Sequence, residues 1–335
     1  MPCPLKICSK EVRKERDGCE KRRGVCEKRT DRGNPLNPFA GARSLALQMA
    51  EPEANHPFVR VGPERSASPV VLSVPHAGRD YSEALLRSAR LPLSTIETLE
   101  DRLVDRLVWR AVAAGSVGIV ARTPRAEIDL NRDERELDPA LIAPSPSARG
   151  LILSARTRGG LGLIPSRIAG AGSIWSQRIR ADELARRIEQ IHRPYHRALA
   201  AELETARERF GVAILLDCHS MPPRIGGSGS GLVFGDRHGT TIAPELTEAA
   251  VEESERLGFT VARNDPYAGG HVVACHGRPA AGIHALQLEI DRGAYLDAKL
   301  REPGPGFDRV SRLIERLASA LASAALRAPE AIAAE

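Results

Sequence analysis

Short apolar runs alternate along the chain with longer segments in which apolar residues recur every three or four positions. The apolar runs lie at 69–74, 118–121, 212–216, 231–234, 259–262 and 283–290. They have the length of buried strands, while the periodic segments at 93–114, 178–210, 243–257 and 307–326 are typical of amphipathic helices. This alternation predicts an α/β fold: a single doubly wound domain of the phosphorylase/hydrolase-like kind, with a mixed, mostly parallel central sheet flanked by helices.

Two stretches have no regular pattern. Residues 138–174 are rich in Gly, Pro, Ser and Arg, and loops of this length in a compact domain are usually functional. We therefore expect this segment to cover the functional site, with Arg156 and Arg158 as its contacts. The glycine-rich segment 226–231 predicts a flexible turn.

The N-terminal segment differs from the rest in charge. Residues 1–50 contain 12 Lys/Arg and 6 Asp/Glu, which leaves 36 and 37 for the remaining chain, so the net charge of +5 originates in this segment. We predict a disordered basic extension over residues 1–55 and one catalytic domain over 56–330. A nearly neutral body argues against nucleic acid as a partner, although binding through the basic extension is a remote alternative.

The extension also carries four of the six cysteines: Cys3, Cys8, Cys19 and Cys26. They form no Cys-x-x-Cys pair, which argues against a zinc ribbon or finger. Patterned sequence follows soon after Met49, and we expect translation to start there. No run approaches eighteen apolar residues, and no continuous apolar h-region of the required length follows the N-terminal basic residues, so we expect a cytoplasmic protein without a secretory signal that does not contact the membrane.

Side chains suited to a metal hydrolase follow several predicted strands. His76 comes after the run at 69–74, and His219 after the run at 212–216. The carboxyl ends of strands are where open α/β sheets bind ligands. Two histidines and one carboxylate, from the acidic cluster at Asp101, leave a fourth tetrahedral position open, as in catalytic zinc sites. Glu289, near the end of the run at 283–290, can then act as a general base.

Arginines and further histidines are the other candidates. Arg125, Asn131 and Arg132 lie close together in sequence, and such a group can hold a carboxylate. His192 and His196 are four residues apart, as metal ligands on a helix can be, but Arg193 replaces the Glu of the zincin pattern, and we favour a structural role. A glycine-bearing loop places His271 close to another group.

Five short motifs together resemble the N-formylglutamate amidohydrolases. They are Ser-Val-Pro-His-Ala-Gly (73–78), Arg-x₃-Asp-Leu-Asn-Arg (125–132), Asp-Cys-His-Ser-Met (217–221), Gly-Gly-His (269–271) and Gln-Leu-Glu-Ile-Asp-Arg (287–292). The resemblance covers about residues 65–300 and leaves the N-terminal segment unexplained. That family is similar in fold to zinc carboxypeptidases and aspartoacylases.

The resemblance implies a zinc-dependent hydrolysis of N-formyl-L-glutamate, or a related small anionic N-acyl amino acid, to formate and glutamate, with a place in histidine degradation. It implies one Zn²⁺ per site, with another divalent metal as an open alternative. The implied metal ligands are His76 and His219, and Glu289 is the implied general base.

The third ligand departs from the carboxypeptidase pattern, because Arg79 stands where a ligating Glu is expected. We choose Asp101, with Asp80 as the second candidate. His271 could polarise the substrate carbonyl, although a structural role is the alternative.

The implied substrate ligands are Asn131 and Arg132 with Arg125, which would hold the α-carboxylate. Arg156, Arg158 or Arg292 would hold the side-chain carboxylate. An aspartoacylase-like or carboxypeptidase-like hydrolase acting on another N-acyl amino acid or a peptide is the alternative function. The sequence does not report the oligomeric state.

Overall fold

A seven-stranded sheet forms the centre of the molecule. The computed structural model describes residues 56–223 and 231–332 of the chain. The strands are β1 (Phe58–Val61), β2 (Val70–Val74), β3 (Val117–Ala121), β4 (Ala213–Met221), β5 (Leu232–Gly235), β6 (Val261–Arg263) and β7 (Ile283–Asp291). Their order across the sheet is β1-β3-β2-β4-β7-β5-β6. Pairing is parallel except between β1 and β3 and between β7 and β5, so the mixed, mostly parallel sheet that we predicted is confirmed.

Helices cover both faces of this sheet. They are α1 (Glu83–Ser88), α2 (Leu93–Ile96), α3 (Val104–Leu107), α4 (Trp109–Ala113), α5 (Ala155–Arg158), α6 (Ala181–Arg187), α7 (Arg193–Phe210), α8 (Pro244–Arg256), α9 (His271–His276) and α10 (Phe307–Ile332). A π-helical turn, Ile188–His192, joins α6 to α7. Three 3₁₀ turns, Glu97–Leu99, Pro139–Leu141 and Pro279–Ala281, and a fourth at Arg292–Ala294 complete the helical elements.

Two hydrophobic cores lie on opposite faces of the sheet because successive strand residues point in opposite directions. On β2, Leu72 packs with α3, α8 and α10 in one core. Its neighbour Val71 belongs to the second core, which includes residues of α7. All five residues of β2 are buried, as expected for a central strand covered on both faces.

The prediction of one continuous helix over residues 93–114 is wrong. The chain forms α2 and a 3₁₀ turn, leaves the helix at Glu100 and Asp101, and becomes helical again at α3. The backbone N–H of Asp101 donates to the carbonyl of His76 at 2.9 Å instead of to a helical partner. Leu103 then adopts a left-handed conformation with φ of 62°. The apolar periodicity continues through this break, so the sequence pattern does not reveal it.

The predicted loop at 138–174 is built into the second core. Besides α5 it contains the small sheet of Arg167–Ile168 with Gly172–Ser173, and its strand Ile142–Ala143 pairs with Ile179–Arg180 beyond the segment. Leu163 and Ile174 are completely buried. The segment is therefore a packed part of the domain, anchored by its own apolar residues.

Other predictions fall partly outside the described residues. The extension at 1–55, with its cysteines and Met49, lies there, as does most of the turn at 226–231. The domain limits at residues 56 and 330 stay a prediction. Within the described part of the chain, no helix combines the length and apolar character needed to cross a bilayer.

Candidate metal centre

The parallel pairing of β2, β4 and β7 brings their carboxyl ends to one edge of the sheet. His76 lies in the turn directly after β2. His219 lies on β4, which continues to Met221 because β7 pairs with it in register over its whole length, Glu289 opposite His219. The strand thus extends four residues beyond Asp217, where its apolar run ends. Asp217 and His219, two residues apart on β4, point to the same face.

A buried triad forms at this edge: His76, Asp101 and His219. Nδ1 of His219 lies 3.1 Å from Nδ1 of His76. Oδ2 of Asp101 lies 3.0 Å from Nδ1 of His219 and 3.3 Å from Nδ1 of His76. Each of the three residues is at most 2% exposed. Three potential ligand atoms therefore form a nearly equilateral triangle.

The outer nitrogen of each imidazole faces another carboxylate. Nε2 of His76 lies 2.7 Å from Oδ1 of Asp129, and Nε2 of His219 lies 2.8 Å from Oδ2 of Asp217. A carboxylate accepts hydrogen bonds, so each Nε2 carries the proton and each Nδ1 presents its lone pair to the triangle. Metal-ligating histidines usually donate their second N–H to a carboxylate in this way.

The second oxygen of Asp101 is occupied by the protein. Oδ1 accepts from Oγ of Ser220 at 3.1 Å and from the Arg292 guanidinium at 3.2 Å. Arg292 also donates to Ser220 Oγ at 3.0 Å. Asp101 is thus oriented so that only Oδ2 faces the two Nδ1 atoms.

The triangle fits a tetrahedral metal. With bonds of 2.0–2.1 Å, two ligands of a tetrahedral zinc ion are about 3.3 Å apart. The three observed edges of 3.0, 3.1 and 3.3 Å are close to that value. Two unpaired imidazole lone pairs facing one carboxylate oxygen also repel one another unless a cation or proton lies between them. The donor set and its spacing therefore suit zinc with a fourth position left open.

Charges around the triad compensate the burial of its carboxylates. Burial alone would raise the pKa of Asp101, but His219 and His76, through hydrogen bonds in which a proton takes the position of the cation, hold that pKa well below its usual range. For Asp129, burial is likewise outweighed by the neighbouring Arg125 and Arg132, which lower its pKa. Both carboxylates are thus ionised, as a metal ligand and its supporting acceptor need to be.

Glu289 is an ionisable carboxyl beside the triad. It is 7% exposed, and burial raises its pKa to about 7, an effect that the nearby His219 partly opposes. One of its oxygens, Oε1, accepts from Nε2 of Gln287 at 2.9 Å. A carboxyl with a pKa near the working pH can both accept and return a proton.

The predicted substrate ligands occupy different positions. Arg125 donates through Nε to Asp129 at 2.9 Å, and its charge interacts with Asp101 and Glu289. Arg132 is 4% exposed and donates to the carbonyls of Leu161 and Asn131. Of the two guanidinium groups, that of Arg125 is the one described as interacting with Asp101 of the triad and with Glu289.

Asn131 is held within the protein at both polar ends. Its Oδ1 accepts from the N–H of Val272 at 2.8 Å. Its Nδ2 lies 3.3 Å from Oε1 of Gln287, and a Cβ on Gly270 would come within 2.3 Å of Oδ1. Glycine is therefore required at position 270 for this close approach. The structure gives Asn131 a positioning task, and its contact with substrate stays a prediction.

The remaining candidates lie at or beyond the margin of the centre. The side chain of Arg158 is exposed to solvent. Arg156 lies close enough to Arg132 for their two positive charges to repel each other. Asp80 is 56% exposed at its side chain and pairs with Arg122, so of the two proposed carboxylate ligands only Asp101 lies with the histidines. The ring contacts described for His271 are with His192 and His196, not with the triad.

Sequence reasoning missed Asp129 and Gln287. Asp129 lies inside the quoted motif at 125–132, but its hydrogen bond to His76 joins two loops that are far apart in sequence. Gln287 lies two residues before Glu289 on β7, and this spacing on a strand places both side chains on one face. That spacing could have identified Gln287.

Known proteins resemble this chain over most of its length. The family model described as N-formylglutamate amidohydrolase matches residues 68–296, which include every residue of the triad and Glu289. The chain belongs to this family. As a member of the N-formylglutamate amidohydrolase family, it is a hydrolase that acts on a carbon–nitrogen bond other than a peptide bond, as predicted.

Individual members of the family agree with this assignment. The N-formylglutamate deformylase of Pseudomonas putida is 30% identical over 240 residues, which are 68% of this chain and 82% of that protein. The enzyme of the same name from Pseudomonas aeruginosa is 28% identical over 245 residues, 70% of this chain and 84% of the relative. The crystal structure of N-formylglutamate amidohydrolase from Ralstonia eutropha JMP134 aligns with a TM-score of 0.73 at 34% identity, covering 84% of this chain and 99% of that one.

Proposed function

We propose that this family member hydrolyses N-formyl-L-glutamate, or a closely related N-acyl amino acid, to formate and glutamate with one bound zinc ion. The observation that carries the proposal is the triangle of His76 Nδ1, His219 Nδ1 and Asp101 Oδ2, with Glu289 on the strand next to His219. The names of the relatives support the substrate. The proposal includes a catalytic domain over 56–330 in the cytoplasm.

His76, His219 and Asp101 would hold the metal. A zinc ion in such a site supplies Lewis-acid activation of water and of the amide carbonyl. The acceptors Asp129 and Asp217 would hold the proton of each histidine on Nε2, which leaves Nδ1 for the metal. Another divalent metal with a tolerance for imidazole ligands is the alternative.

Glu289 moves the proton. Its carboxylate takes a proton from the attacking water and returns it to the nitrogen of the leaving amino acid, so that the formyl C–N bond breaks and formate departs. The raised pKa, about 7, suits both transfers at neutral pH. Gln287 fixes Oε1 of Glu289 by its hydrogen bond and leaves Oε2 for the reaction.

Arg125 binds the anionic end of the substrate. Nε is the only guanidinium nitrogen of Arg125 with a hydrogen-bond partner among the described residues. The other two nitrogens remain for a carboxylate, which a planar guanidinium binds bidentately. Asp129 thus orients both the imidazole of His76 and the guanidinium that would hold the substrate.

A substrate panel with and without chelator tests the proposal. Formate or amine release is measured from formyl, acetyl and succinyl derivatives of glutamate and aspartate and from C-terminal peptides. We expect the highest kcat/KM for formyl-glutamate, loss of activity in chelator, and recovery on addition of zinc. Full activity in chelator would reject the metal assignment, and a preference for acetyl-aspartate or peptides would reject the substrate.

A further inference from the structure

A second histidine cluster lies apart from the triad. It consists of His192 at the end of the π-helical turn, His196 on α7, and His271 at the start of α9. One ring nitrogen of each lies within 4.8 Å of those of the other two. The ring centroids are 4.5 Å apart for His192 and His196, and 5.1 Å for His196 and His271. Ring nitrogens from the π-helical turn, α7 and α9 are thus close enough together to be considered as ligands of one ion.

The backbone of the loop after β3 separates this cluster from the triad. Nε2 of His192 lies 2.9 Å from the carbonyl oxygen of Arg132, and Nε2 of His196 lies 3.0 Å from that of Leu130. The side chain of the intervening Asn131 extends to the opposite side, next to His219. Carbonyls only accept, so both Nε2 atoms carry protons and both Nδ1 atoms have lone pairs.

His192 has a polar atom that the protein leaves unsatisfied. The residue is 2% exposed, and its Nδ1 has no hydrogen-bond partner among the described residues. A buried acceptor without a partner is costly and requires an explanation. The nearest carboxylate, on Glu134, lies 3.7 Å away and binds Arg193 through both of its oxygens. An acceptor nitrogen in this position suits a cation.

The Nδ1 lone pair of the second histidine, His196, is engaged by another histidine. Nδ1 of His196 lies 3.0 Å from Nε2 of His276, which donates to it. A metal bound by this Nδ1 would replace that hydrogen bond. His271 is half-buried, so rotation of its ring can shorten the nitrogen separations from at most 4.8 Å towards the roughly 3.3 Å of a tetrahedral site.

We propose that His192, His196 and His271 form a second metal site, for a divalent transition ion such as Zn²⁺. Three neutral imidazoles select zinc, nickel or copper over magnesium or calcium, which prefer oxygen ligands. The Nε2–carbonyl bonds supply the outer hydrogen bonds that orient metal-ligating histidines. This site gives His271 a function other than contact with the substrate carbonyl. A bound ion would join α7 and α9 behind the loop that carries Asp129 and Asn131.

Zinc stoichiometry of the full-length protein tests this site. The protein is stripped with chelator, dialysed against a range of free Zn²⁺ concentrations and measured by elemental analysis. We expect His271→Gln to bind one ion fewer per chain than the wild type. His76→Gln should also lose one ion, and the double variant should lose two. The N-terminal cysteines are the same in all variants, so zinc bound by them cancels in these differences.

Two further variants make the result decisive. His238→Asn removes an exposed histidine and should keep the full wild-type stoichiometry. His192→Ala removes a different ligand of the proposed site and should also lose one ion, which guards against an effect peculiar to His271→Gln. Equal zinc content in the wild type, His271→Gln and His192→Ala, with folding confirmed by circular dichroism, would overturn the proposal.

Discussion

At the residue scale, each triad histidine uses its two nitrogens for separate tasks. Nδ1 faces the metal position while Nε2 donates to Asp129 or Asp217. These acceptors fix which nitrogen carries the proton. His76, His219 and Glu289 could be selected from sequence because polar residues that follow buried runs converge at one edge of a parallel sheet. Asp129 could not, since its partner depends on the path of a loop.

Replacing Asp129 by Asn should weaken metal binding. The change keeps the size of the side chain but removes the charge that holds the proton on Nε2 of His76 and pairs with Arg125. We expect the Kd for zinc to rise by about 10- to 100-fold, measured by competition with a chromophoric chelator. Asp80→Asn, at an exposed ion pair, is the matched control. An unchanged Kd would show that Asp129 does not support the ligand.

Replacing Glu289 by Gln should remove turnover and leave the metal in place. The amide cannot accept the proton, so kcat should fall by on the order of 10²-fold or more. Elemental analysis should still find zinc at the wild-type level. Glu252→Gln, on the exposed side of α8, serves as control and should keep its activity. A variant that loses metal as well as turnover would instead identify Glu289 as a ligand.

At the element scale, strands were easier to predict than helix ends. Apolar runs located every strand of the seven-stranded sheet except the short edge strand β1. They did not predict the extension of β4 beyond Asp217, which depends on pairing with β7. The break between α2 and α3 was missed because periodicity reports which side chains are buried, not which backbone groups bond to each other. That break places Asp101 in the triad.

Replacing Gly78 by Ala should destabilise the turn that carries His76. An added Cβ would lie 2.1 Å from the carbonyl oxygen of Thr123. The next nearest atoms, the carbonyl carbons of Thr123 and Arg122, also belong to the backbone and cannot rotate away as a side chain could. We expect a loss of about 1–3 kcal/mol or more in the free energy of unfolding, measured by urea denaturation. At Gly231 the nearest atoms are 3.9 Å away, so Gly231→Ala should change the stability little. Equal stabilities would refute the close packing.

At the scale of the whole molecule, the sheet, both cores and the triad are built from residues between 58 and 325. The overall architecture followed from sequence because the order of strands and helices restricts a chain to few α/β arrangements. The identity of the substrate could not be predicted from the pattern of strands and helices, because it depends on where a few arginines lie around the edge of the sheet.

Deletion of residues 1–55 tests the predicted domain limit. We expect kcat/KM of the shortened protein to remain within about twofold of the wild-type value, since the described residues form both cores. The midpoint of urea denaturation should equal that of the wild type within experimental error. Electrophoretic mobility shift with duplex DNA at two salt concentrations checks the nucleic-acid alternative in parallel. Loss of activity on deletion would assign the extension to the functional domain.

The register of β4 with β7 has a consequence for how this protein can diverge. His219 and Glu289 are opposite each other on neighbouring parallel strands, so main-chain hydrogen bonds set their separation. Arg125, which would meet the substrate, lies instead in the loop after β3, and Arg156, at the margin of the centre, lies on the short helix α5. Mutations that change which acyl amino acid is accepted can therefore accumulate in those segments while the reacting groups keep their spacing.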